Sequence, residues 1–114
     1  MKHSSEVKWD NRPEQFEFLS VFFDVSKAKQ MVMEKPRDIV HFPLAGLSLF
    51  LPLIRKKATR KVDLSIPILV VTIDCGYLPI DGWHRVEEAM VVGGVEKLPA
   101  VIFNYEETRT LFKR

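Results

Sequence analysis

Cysteine and glycine are scarce in this chain, and both shortages limit what it can be. Its 114 residues include a single cysteine, Cys75, so no disulfide can form within the chain. The five glycines do not form a phosphate-cradling loop of the G-x-x-x-x-G-K type. No cluster of histidine, cysteine and acidic residues has metal-ligand spacing, so no metal site is expected. A reducing cytoplasm is the expected compartment.

The sequence also lacks a hydrophobic run long enough to span a membrane. Its longest apolar stretch, residues 42–54, is interrupted by Pro43 and Pro52. Residues 1–15 are polar and charged, unlike a secretory signal. The net charge of +2 is too small to predict nucleic-acid binding by itself. We therefore expect a cytoplasmic protein with no membrane partner.

Length and composition predict one domain with a short extension. A chain of 114 residues, 46% hydrophobic and 28% charged, is typical of a single globular domain. Residues 1–15 are predicted to form a flexible N-terminal arm that Trp9 anchors. Residues 16–114 are predicted to form the domain itself.

The pattern of apolar residues predicts an α+β fold, a small mixed sheet with helices packed on it. Residues 66–73 are almost continuously apolar and β-branched, which is typical of a central strand buried on both faces. Residues 47–61 allow no assignment. Strands are also predicted at residues 16–25, 38–44, 77–80 and 98–103, helices at 27–35 and 83–92, and a closing helix or tail at 106–114.

The strongest indication of a functional site is the start of the helix predicted from residue 83. Its sequence is Asp81-Gly82-Trp83-His84-Arg85. The first N–H groups of a helix lack intrahelical partners and carry the positive end of its dipole. A histidine and an arginine there each cost about 0.3–1 kcal/mol unless an anion joins them. Gly82 would leave room for a ligand to approach. The segment therefore predicts a phosphate site formed by Gly82, His84 and Arg85.

A purely structural interpretation of the same residues stays open. Asp81 would be an ordinary N-cap, and Asp-Gly is a common turn. Arg85 and His84 would each pair with Glu88, three or four residues further along the helix. Trp83 is expected in the core, with stacking on a nucleotide base as the alternative.

The region from residue 66 to 103 resembles the core of the ParB/sulfiredoxin superfamily. The resemblance depends on a strand followed by a hairpin, on the DGxHR motif that opens a helix, and on a last strand. The matching residues are Ile66-Pro67-Ile68, Asp81-Gly82-Trp83-His84-Arg85 and Leu98-Pro99-Ala100-Val101.

This resemblance implies a nucleotide site at the motif. Gly82, His84 and Arg85 would contact the phosphates of ATP, ADP or CTP with magnesium, and Asp81 would shape the turn. The implied activities are phosphotransfer or nucleotide hydrolysis, with His84 as the catalytic candidate. Sulfiredoxins carry their reactive cysteine directly before the His-Arg pair, where this chain has Trp83. Sulfiredoxin activity is therefore not expected.

A basic run lies between residues 55 and 61 and has two interpretations. It is either a solvated loop or a contact surface for the phosphates of a nucleotide or a nucleic acid. Besides the nucleotide-binding domain, two hypotheses remain: a DNA- or RNA-binding accessory module, and a non-enzymatic interaction domain. A homodimer is left open. The basic residues are Arg55, Lys56, Lys57, Arg60 and Lys61.

Overall fold

The computed structural model describes residues 3–10, 13–47, 50, 63–74, 76–92 and 94–113. A short 3-10 turn, Ser4–Glu6, comes before the first strand. The elements that follow are β1 (Gln15–Phe18), β2 (Val21–Asp24), α1 (Val25–Glu34), β3 (Val40–Pro43), β4 (Ile68–Ile73), β5 (Gly76–Asp81), α2 (Trp83–Val92), β6 (Lys97–Phe103), α3 (Tyr105–Thr110) and β7 (Phe112–Lys113).

The strands form two sheets. Four strands pair in the order β3-β6-β4-β5, and three pair in the order β1-β2-β7. Strands β4 and β6 run parallel, whereas the β3–β6 and β4–β5 pairs are antiparallel. The prediction of an α+β fold with mixed pairing is confirmed. The prediction of one sheet is wrong, because β1, β2 and β7 form a sheet of their own.

Strand β4 lies in the interior of the larger sheet, as the apolar run predicted. Four consecutive residues, Ile68 to Val71, are each 0% exposed. Because β5 returns antiparallel to β4, Asp81 at the end of β5 pairs with Leu69 near the start of β4. The first turn of α2 therefore lies beside the residues that enter β4.

The first predicted strand, residues 16–25, is wrong because the chain reverses within it. Leu19 and Ser20 form the turn of a β1–β2 hairpin, both with positive φ. Leucine and serine seldom adopt a positive φ, and tight hairpin turns usually contain glycine, asparagine or aspartate. The sequence therefore gives no indication that the chain reverses here.

Helix α1 begins two residues before the predicted position, and Asp24 caps it. The Asp24 carboxylate accepts a hydrogen bond of 3.0 Å from the Lys27 amide. Helix α2 has the predicted bounds. The closing segment is not one element, because α3 ends at Thr110 and β7 follows it.

The N-terminal segment is hydrogen-bonded to the residues that follow α1. The Ser4 amide donates to the Arg37 carbonyl at 2.8 Å, and the Arg37 amide donates to Ser4 Oγ at 2.6 Å. The Trp9 indole donates to the Ser4 carbonyl at 3.2 Å and packs against the core. Flexibility of this arm stays a prediction.

Among the described residues, no helix combines the length and apolar composition that crossing a bilayer requires.

Candidate functional site

The DGxHR motif forms the connection from β5 to α2. Gly82 joins them with φ of +102°, and its carbonyl accepts the first helical hydrogen bonds from Arg85 and Val86, at 2.9 and 3.0 Å. Gly82 therefore occupies the capping position. Asp81 is the last residue of β5, and its carboxylate contacts Arg85 instead. The interpretation of Asp81 as an ordinary N-cap is wrong.

Trp83 lies in the core, as its helical spacing predicted. It is 4% exposed, and its indole N–H donates to the Pro79 carbonyl at 2.7 Å. A ring buried in this way fixes α2 on the end of β5. It presents no face on which a nucleotide base would stack.

The Arg85 side chain turns back toward the chain that enters β4. Its Nη1 donates to the carbonyls of Ile66 and Pro67, at 3.0 and 3.2 Å. Its Nη2 lies 3.4 Å from Asp81 Oδ2, and the Arg85 side chain is 12% exposed. The pairing with Glu88 is wrong, since among the described residues Glu88 forms no ion pair with Arg85 or His84.

Gly82 makes room for Arg85 itself. A Cβ at this position would lie 2.5 Å from Ile68 Cγ2, 2.8 Å from Arg85 Nη2 and 3.0 Å from Arg85 Nε. The guanidinium therefore packs against the first residue of the helix start, with its Nε–Nη2 edge toward Gly82. The space that the sequence analysis assigned to a ligand is used by two side chains of the protein.

His84 stands beside this arginine in the first turn of α2 and is partly exposed. Within the described part of the chain, no hydrogen bond or ion pair holds its imidazole. The motif thus brings one partly buried cation and one partly exposed imidazole to the start of the same helix.

The sequence analysis missed a buried lysine close to the motif. Lys29 of α1 is 4% exposed. Its Nζ lies 3.0 Å from Asp10 Oδ1 and 3.1 Å from Glu14 Oε1. A signal was present, because Lys29 follows Val25 by four residues and precedes Val32 by three, on the apolar face of the helix.

These residues join Asp81 in one group of charges. The Asp81 carboxyl interacts electrostatically with Arg85, Lys29 and Glu14. We call Asp10, Glu14, Lys29, Asp81 and Arg85 the charged cluster. It connects the N-terminal segment, α1, the end of β5 and the first turn of α2.

Burial has the largest influence on the pKa of Asp81. Loss of water raises the pKa of this carboxyl, and the nearby Glu14 raises it further, although Arg85 and Lys29 act in the opposite direction. For Lys29, burial opposes the charged form, but the attraction of Asp81 and the hydrogen bonds to Asp10 and Glu14 outweigh it. The pKa of Lys29 is therefore raised.

The predicted contacts of the basic run stay a prediction. The five basic residues Arg55, Lys56, Lys57, Arg60 and Lys61 lie outside the described residues. In the described ranges, no three histidine, cysteine or acidic side chains are grouped to hold a metal ion.

In comparisons with known proteins, no family model, no curated protein and no solved structure matches the chain. The resemblance to the ParB/sulfiredoxin superfamily therefore stays a prediction based on residues 66–103.

Proposed function

We propose that this chain is a phosphate-binding domain of ParB/sulfiredoxin type that takes a nucleotide at the start of α2. The observation that carries the proposal is the packing of the Arg85 guanidinium against Gly82. That position brings the cation to the end of the helix where the first N–H groups have no intrahelical partners.

The site is largely preorganised for an anion. The carbonyls of Ile66 and Pro67 hold Arg85 Nη1, so little side-chain entropy is lost when a ligand binds the remaining donors. The helix dipole adds roughly half a positive charge at the same place. The His84 imidazole supplies a further donor from the adjoining position on the first turn.

Asp81 already neutralises part of the charge on Arg85, but weakly. The two groups share one contact of 3.4 Å, longer than the roughly 2.7–2.9 Å of a strong charge-assisted hydrogen bond. Arg85 Nε forms no hydrogen bond with another described residue. Asp81 therefore leaves donor capacity on this guanidinium unused, and a phosphate oxygen would use it by moving the Nε–Nη2 edge away from Gly82.

ATP, ADP or CTP is the proposed ligand, with magnesium carried on its phosphates. The described residues supply no metal-ligand group. This fits a site in which Mg²⁺ binds chiefly to phosphate oxygens and water, as it often does in nucleotide complexes. If the domain is a phosphotransferase or hydrolase, His84 is the residue that we propose as the proton donor.

Titration calorimetry with each nucleotide and magnesium tests the proposal. We expect Arg85→Ala to weaken binding by about 10- to 150-fold, the equivalent of a hydrogen bond to a charged group. His84→Ala is expected to weaken it by about three- to tenfold. His41→Ala is the matched control, because His41 is exposed on β3, at the opposite edge of the sheet from β5.

Arg85 also has structural contacts, so each variant is first checked for cooperative unfolding. His84→Ala removes a partly exposed side chain and is expected to fold normally. Absence of binding by all three nucleotides, or equal affinity in wild type and a folded Arg85→Ala protein, would end the proposal.

A further inference from the structure

Ser65 has an exposed hydroxyl group that is hydrogen-bonded to a carboxylate. Its Oγ donates to Asp63 Oδ1 at 2.6 Å, and its backbone amide donates to the same oxygen at 2.9 Å. Both residues are exposed, and within the described chain the Ser65 hydroxyl has no other partner. A hydroxyl bonded to a carboxylate is the arrangement in which a general base activates an oxygen nucleophile.

The Asp63 carboxyl is in the form that accepts a proton. The hydrogen bonds from the Ser65 hydroxyl and from the Ser65 amide lower the pKa of this carboxyl. It is therefore ionised at neutral pH, and the hydroxyl points its proton at the charged oxygen.

The same spacing of aspartate and serine occurs at the start of α1, where its role is structural. Ser26 Oγ lies 2.8 Å from Asp24 Oδ1, but Asp24 caps the helix and Ser26 also bonds to the backbone of Glu14. Ser26 is only partly exposed. No helix of the described chain begins at Asp63, so the Ser65 hydroxyl stays open to a reaction partner.

The chain that follows Ser65 holds the guanidinium of the proposed phosphate site. Arg85 Nη1 donates to the Ile66 carbonyl at 3.0 Å and to the Pro67 carbonyl at 3.2 Å. Because Ser65 directly precedes Ile66, standard bond lengths limit the separation of Ser65 Oγ and Arg85 Nη1 to about 12 Å. Consecutive phosphates of one nucleotide can bridge a distance of this size. A nucleotide bound at Arg85 can therefore bring its terminal phosphate to Ser65.

We propose that Ser65 accepts the terminal phosphoryl group of a nucleoside triphosphate bound at Arg85, with Asp63 as the general base. The inference rests on the proposed function and names the phosphoryl acceptor for that site. It makes this exposed serine a site of self-modification.

The transfer is a single displacement at phosphorus. Ser65 Oγ forms a bond to the terminal phosphorus, and the bond from that phosphorus to the bridging oxygen breaks. The bridging oxygen keeps the electron pair and leaves with the nucleoside diphosphate. The hydroxyl proton passes to the Asp63 carboxylate, so the products are a phosphate ester of Ser65 and the diphosphate.

Incubation of the full chain with magnesium and either ATP or CTP tests the inference. Mass spectrometry of the intact protein counts the phosphoryl groups gained, and fragmentation of its peptides locates them. We expect one group per chain, at Ser65 and not at Ser26. The rate constant should not depend on protein concentration, because the donor and the acceptor lie in one molecule.

Variants at exposed positions separate the roles of the two residues. Ser65→Ala should abolish phosphorylation, and Ser65→Thr should retain part of it. Asp63→Asn should slow the transfer by about 100-fold or more, the usual contribution of a general base. Ser5→Ala is the matched control and should react at the wild-type rate. Ser5 is also exposed, and its Oγ lies 2.6 Å from a possible base, His3 Nδ1.

Calorimetry with ADP and magnesium measures nucleotide binding separately from transfer. Binding that depends on Arg85, with no phosphate on Ser65 or with an unchanged rate in Asp63→Asn, overturns the inference and leaves the phosphate site in place. A rate proportional to protein concentration overturns transfer within one molecule. Phosphorylation that persists in a folded Arg85→Ala protein overturns the role of the site. Absence of binding by ATP, ADP and CTP overturns both hypotheses.

Discussion

Replacing Gly82 by alanine is the sharpest test of how the start of α2 is built. The new Cβ would lie 2.5 Å from Ile68 Cγ2 and 2.8 Å from Arg85 Nη2. Ile68 belongs to the central strand and is fully buried, so it has little room to move. The backbone φ of +102° adds strain, because L side chains rarely adopt it.

The loss of stability in Gly82→Ala can be worked out from these effects. Overpacking costs about 1–3 kcal/mol, and the positive φ costs about 1–2 kcal/mol. The reduced entropy of the unfolded chain returns about 0.4–1 kcal/mol. We therefore expect Gly82→Ala to lower the free energy of unfolding by about 3 kcal/mol, or roughly 12 °C in Tm for a domain of this size.

Gly94→Ala is the control that separates strain from packing. Gly94 also has a positive φ, +71°, but a Cβ there meets nothing within 4 Å. Urea unfolding of both variants should show a loss about 2 kcal/mol larger for Gly82→Ala. Equal losses would refute the argument that Ile68 and Arg85 occupy the space at Gly82.

Three further outcomes follow from single features. Asn104→Ala should lower the free energy of unfolding by about 1 kcal/mol in urea titration, because Asn104 caps α3 in a capping box. Leu19→Asn combined with Ser20→Gly should raise it by about 1 kcal/mol, since both residues have positive φ in the hairpin turn; unchanged stability would argue against that turn. Because the pKa of Asp81 is raised in the folded state, its contribution to stability is full below the unfolded value and is lost as pH rises through the folded value. The stability of Asp81→Asn should therefore decline less with pH than that of wild type across this window, and parallel profiles would contradict the assignment.

Helices and strands with a clear local pattern of apolar residues could be predicted from the sequence. Helix α2 has an apolar face at helical spacing, and β4 is an uninterrupted apolar run. The β1–β2 hairpin was missed because its turn is Leu19-Ser20, without glycine, asparagine or aspartate. Tertiary contacts compensate for a turn sequence that local propensity disfavours.

Arg85 lies at the helix start that the sequence predicted, but its side-chain partners differ from those that the sequence analysis expected. The helical spacing predicted an ion pair between Arg85 and Glu88. In the structure the guanidinium instead contacts Asp81 and the backbone carbonyls that precede β4. That arrangement requires β5 to pair with β4 in a register that no local pattern specifies. The ion pair of Lys29 with Glu14 depends in the same way on the docking of the N-terminal segment.

The charged cluster also helps to explain the position of the N-terminal segment. Replacing a buried ion network with apolar residues is often neutral or stabilising, so stability alone does not account for Lys29 on the apolar face of α1. An apolar residue there would remove the ammonium group that bonds to Asp10 and Glu14. The cluster therefore ties the placement of the N-terminal segment to the charge around Arg85.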